Sequence, residues 1–123
     1  RLSDHPGEPP LYQWMADKAR QANGRGNIGI VVGATYPDEL VEVRQRAGGM
    51  PILIPGIGAQ SGNLQGSVVA GLDVDTPNVL ISSSRGITYA SREPAVYPDA
   101  ARNAASALRD QINDVLVQED RGW

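Results

Sequence analysis

Two short stretches of this chain carry residues that could do chemistry. Residues 54 to 63 read IPGIGAQSGN, with three glycines inside seven residues and one glutamine, Gln60, among them. Glycine lets φ turn positive and lets backbone N–H groups come close to a ligand. Successive N–H groups in a concave turn form an anion site. Residues 82 to 86 read SSSRG, with small residues that free the backbone ahead of Arg85. A planar guanidinium holds a phosphate through two charge-assisted bonds. The shared chemistry is recognition of a phosphate ester. Each stretch has a plainer reading when taken alone. The glycine loop also suits a structural tight turn, and Arg85 also suits a surface arginine capping its own loop. The spacing is GxGxxxG rather than the dinucleotide GxGxxG, and no strand-then-acid pattern follows it, which argues against a Rossmann site.

These stretches need elements that bring them together. Three apolar runs stand out: NIGIVVGA from Asn27, MPILIPGIG from Met50 and NVLISSS from Asn78. The first two are rich in Ile and Val without clean alternation, as expected of strands covered on both faces. Helical patterns lie between and around the runs. In Leu11–Ala22, Leu11, Met15, Lys18 and Ala22 fall at helical spacing with Trp14 and Ala19 alongside, and Pro9 and Pro10 suit the first turn. Thr35 reads as the N-cap of the next helix, with Asp38 three residues on and Leu40, Val43 and Ala47 forming its face. A short helix is expected over Leu64–Ala70. A last helix carries a stripe of Tyr97, Ala101, Ala104, Ala105, Leu108, Ile112 and Val115, with Pro98 at its start.

The expected order is α-β-α-β-α-β-α, and such alternation means a parallel sheet. A three-stranded sheet leaves open edges that natural proteins avoid. A flavodoxin-like sandwich needs about five strands. The better fit is the C-terminal half of a (β/α)8 barrel, from about helix five to helix eight. In that frame Gln60 and Arg85 follow strands seven and eight, where barrels commonly build a phosphate site.

At this level VVGATYPDEL, ILIPGIGAQSGN and LISSSRGITYA together resemble orotidine 5′-phosphate decarboxylase, and GATYP resembles its longer, type 2 bacterial branch. The resemblance runs from about Leu11 to Ile112. It implies a (β/α)8 barrel, a carboxy-lyase of pyrimidine biosynthesis that turns orotidine monophosphate into UMP without metal or cofactor. It implies that Gln60 reaches both phosphate and pyrimidine, that Arg85 holds the 5′-phosphate, and that Ser84 stands where many relatives have glycine, offering its N–H. Pro55, Gly56 and Ile57 are implied to line the base pocket. The family's Asp-x-Lys-x-x-Asp motif does not occur here. The resemblance therefore implies no catalytic residue in this chain, inactivity when isolated, an N-terminal half as partner, and a homodimer when intact.

Composition narrows the alternatives. The chain has 123 residues, the size of one domain, with residues 1 to 10 a polar leader. A net charge of −3 gives no electrostatic case for nucleic acid. There is no cysteine, and no apolar stretch approaches the roughly 20 residues of a membrane helix. A cytoplasmic location is the expectation. His5, the single histidine, has no ligand spacing for a metal. The serine run 82 to 84 lacks a base partner and a GxSxG elbow, which argues against a nucleophile. Asp73 and Asp75 read as solvated loop charges. Two other functions remain open: another phosphate-binding barrel such as a sugar-phosphate epimerase, and a binding fragment without chemistry.

Overall fold

The structure, a computed structural model, describes residues 7–57, 63–75 and 77–121. Helix α1 (Leu11–Ala22) leads into β1 (Ile30–Val31), α2 (Pro37–Ala47), β2 (Ile52–Pro55), α3 (Leu64–Gly71), β3 (Val79–Ser82), a short α4 (Ser84–Thr88) and α5 (Tyr97–Gln118). The three strands are parallel in the order β1-β2-β3. Ile30 is level with Ile52 and Val79, and Val31 with Leu53 and Leu80. This is the expected partial barrel, with α4 as an addition that the serine-rich sequence did not announce.

Local chemistry explains the helix ends, with two corrections to the expected pattern. Thr35 is not the N-cap of α2. Tyr36 holds that place without a side-chain bond, and the helix starts at Pro37. The fixed φ of proline suits the first helical position, and Asp38 and Glu39 meet the positive end of the helix dipole. Gly48, at φ +59°, ends α2 in a backbone state that costs glycine little. The second correction concerns α1. Leu11, Trp14 and Met15 are exposed, while Ala16 is buried and Tyr12 packs on the core. The tight approach of α1 to its neighbours selects the small Ala16 over the larger residues of the expected stripe. Lys18 instead lies over the Trp14 ring, 5.4 Å from its centre.

The core lies between the sheet and α1, α2 and α3. Ile52 and Ile54 point into it beside Leu40, Val43 and Ala16, with Ile30, Val32, Val79 and Ile81 packed around them. Leu40, Ile52, Ile54 and Val68 are shielded from solvent, and each contributes about 1.5–3 kcal/mol of burial. Helix α5 closes a second cluster, Val115 and Leu116 against Val68. The opposite face of the sheet is partly open, with Leu53 half-buried between two exposed residues. Val31 is 70% and Leu80 53% exposed. Parallel sheets cover both faces, so this row, Val31–Leu53–Leu80, has the alternation of a barrel's inner layer without the rest of the barrel over it. Among the described residues no helix is long and apolar enough to cross a membrane.

At the N-terminal ends of β2 and β3 a buried arginine ties the layers together. The Arg44 guanidinium donates to the carbonyls of Gly71, Gly48 and Met50, each at 2.7 Å, and to that of Asn78 at 3.0 Å. Gly48 and Gly71 lie at the C-terminal ends of α2 and α3, where the helix dipoles are negative and favour a cation. Burial lowers the Arg44 pKa from its usual value, and Asp73 works against that shift. Asp73 is thus partly solvated, as expected from sequence, and also lies within electrostatic reach of a fixed cation, while Asp75 is exposed.

Candidate functional site

The C-terminal ends of β2 and β3 finish level, with Pro55 beside Ser82. This level finish brings two loops side by side. From β2 the chain turns at Gly56, whose φ of +80° is a left-handed state that disfavours any side chain. Ile57 then drops into the core, 3% exposed. That anchor fixes the height of the glycine turn. Gln60, with Gly58 and Gly62, lies outside the described residues, as does His5. The chain resumes at Asn63, whose Oδ1 accepts from the Gly66 N–H at 2.9 Å and caps α3.

From β3 the chain passes through Ser83 directly into α4, which carries Ser84, Arg85 and Gly86 in its first turn. Pro55, Gly56, Ile57, Ser82, Ser83, Ser84, Arg85 and Gly86 line one cavity of about 270 Å³. Five of the six residues singled out from sequence thus meet at one place. The cavity falls just below the roughly 300–1,000 Å³ of small-molecule sites. That size suits a phosphoryl group and its near neighbours better than a whole nucleotide.

Arg85 supplies the charge. It is exposed, while the ion pairs among the described residues are Arg46–Asp17 at 2.6 Å and Arg109–Asp110 at 2.7 Å. Arg85 belongs to neither, so its guanidinium has no internal carboxylate there to neutralise it. An arginine with five donors beside a turn of small residues is well suited to an anion.

Larger hollows lie elsewhere. A trough of about 470 Å³ runs along β1 between Tyr12, Met15, Val31, Tyr36 and Glu39. It follows from the unpaired edge of β1 and carries little charge. Thr35 lines this trough and not the Arg85 cavity. Gly86 is not among the residues expected at the site, and Ser83 is expected there only as a small residue. The signal was present: Asn63-x-x-Gly66 and Ser83-x-x-Gly86 repeat one pattern after successive strands.

No family model matches the chain. Individual proteins do. The orotidine 5′-phosphate decarboxylase of Ralstonia pickettii (strain 12J) is 50% identical over 105 residues, 85% of this chain and 38% of that protein. The enzyme of the same name from Thermomicrobium roseum is 50% identical over 107 residues, 86% of this chain and 38% of that protein. Among solved structures, Leishmania donovani OMP decarboxylase superimposes with a TM-score of 0.74 at 39% identity, over 90% of this chain and 40% of that one. The chain spans about two fifths of the length of the curated relatives it matches.

Proposed function

Because this chain belongs, along the part it spans, to the orotidine 5′-phosphate decarboxylases, we propose that it forms the phosphate-holding end of an enzyme that converts orotidine monophosphate to UMP and carbon dioxide. The observation that carries this reading is the cavity where Arg85, free of carboxylate partners among the described residues, meets the Gly56 turn at level strand ends. In this reading Arg85 grips the 5′-phosphate, Gln60 spans phosphate and base, and the Ser84 N–H adds a donor. Pro55, Gly56 and Ile57 form the wall toward the pyrimidine.

The proton that replaces the carboxylate has to come from elsewhere. The only lysine in the sequence, Lys18, is exposed and lies over Trp14 on α1. The reading therefore divides the labour. The remaining part of the barrel brings the acid–base groups and covers the Val31–Leu53–Leu80 layer, and this chain contributes binding energy. Binding a remote, non-reacting phosphate helps hold the reacting ring in place and lowers the barrier at the bond that breaks.

The test is a chimera in which this chain replaces the matching segment of the Ralstonia pickettii protein. It should decarboxylate orotidine monophosphate, read as loss of substrate absorbance, while the 123-residue chain alone should not. A chimera that folds and binds UMP but shows no turnover would overturn the assignment. Turnover by the isolated chain would overturn the division of labour.

A further inference from the structure

Gly86 poses a question that the phosphate reading leaves open. It sits inside α4 with no left-handed φ to require glycine, and glycine is less favourable than alanine in a helix. The reason is steric. A Cβ at position 86 would lie 2.6 Å from the Ser83 Oγ, closer than non-bonded atoms allow. The equivalent pair after β2 differs in one respect. A Cβ at Gly66 would also collide with its cap residue, 2.8 Å from Asn63 Nδ2, but there Asn63 makes its cap bond. Ser83 makes no such bond and, among the described residues, its hydroxyl has no hydrogen-bond partner. The space left by Gly86 therefore does not serve a helix cap. It accommodates the hydroxyl of Ser83, a half-buried residue that lines the Arg85 cavity.

We propose that Gly86 is a positioning residue for the phosphate end of the site: its missing Cβ is the space that keeps the Ser83 hydroxyl, and with it the wall beside Arg85, in the shape that accepts a phosphoryl group. A serine has only three staggered side-chain positions. Any side chain at 86 drives the Ser83 Oγ out of its present one, and the hydroxyl then redraws the cavity wall within two residues of Arg85. Gly86 touches no substrate atom; it acts through Ser83. This inference rests on the phosphate reading above.

The test measures UMP and uridine binding to the chimeric decarboxylase carrying Gly86→Ala, Ser83→Gly, the pair together, or Arg85→Ala. Gly86→Ala should weaken UMP about 10-fold, leave uridine within about twofold, and leave the thermal midpoint unchanged or higher because alanine favours the helix. Adding Ser83→Gly should return UMP affinity to that of Ser83→Gly alone, since the clashing atom is gone. Wild-type UMP affinity in Gly86→Ala overturns the inference, as does a double variant no better than Gly86→Ala. If Arg85→Ala also leaves UMP affinity unchanged, the phosphate reading itself has failed, and the two failures are thereby told apart.

Discussion

Arg44 and Arg85 stand at opposite ends of the same strands, and their surroundings are reversed. Arg44 lies where β2 and β3 begin and is surrounded by four carbonyl acceptors from two connections, α2–β2 and α3–β3. Arg85 lies where β3 has ended, is exposed, and enters no ion pair among the described residues. Both are arginines next to glycines, so residue type does not separate them. What separates them is whether the protein itself fills the guanidinium's donor capacity. A filled guanidinium holds the fold together. An unfilled one beside an open cavity has capacity left for a ligand.

The comparison can be broken in graded ways. Arg44→Met should have the largest effect on stability, because it leaves four backbone acceptors buried or half-buried without their donor. The loss should be about 3 kcal/mol or more, read from the urea midpoint. A loss below about 1 kcal/mol would show that water replaces the guanidinium easily. Arg85→Ala should do the opposite: leave the urea midpoint in place and lower kcat/KM of the chimera by about 100-fold or more, since two charge-assisted bonds are worth about 1.5–3 kcal/mol each. Unchanged kcat/KM would remove Arg85 from the site. The smallest effect sharpens the same contrast at the two cap positions. Asn63→Ala should cost about 1 kcal/mol, because a made cap bond is lost. Ser83→Ala, where no cap bond exists, should stay within about 0.5 kcal/mol. Equal losses at the two sites would mean that Ser83 caps α4 after all.

Much of the candidate site was legible from local chemistry. The glycine turn declared itself because position 56 needs a positive φ. Arg85 declared itself because it follows small residues at the end of an apolar run. The stripe on α1 misled because spacing gives a helix its faces but not the distance to its neighbour. Ala16 is buried because the packing there is close, and Leu11, Trp14 and Met15 are left outside. Thr35 misled for a related reason: proline at position 37 set the start of α2 one residue later than the capping pattern implied.

The sequence by itself determined the parallel sheet, the order of its strands, and the placing of Pro55, Gly56, Ile57, Ser84 and Arg85 at strand ends. Periodicity and turn chemistry are local properties, and local properties are written in the order of residues. Only the tertiary structure decided that Arg44 is consumed by carbonyls, that Asp73 faces it, and that Ser83 occupies the space Gly86 leaves. It also decided that the Val31–Leu53–Leu80 face is left partly open. Each of these depends on distances between segments remote in sequence or on the direction of one side chain, and neither follows from spacing along the chain.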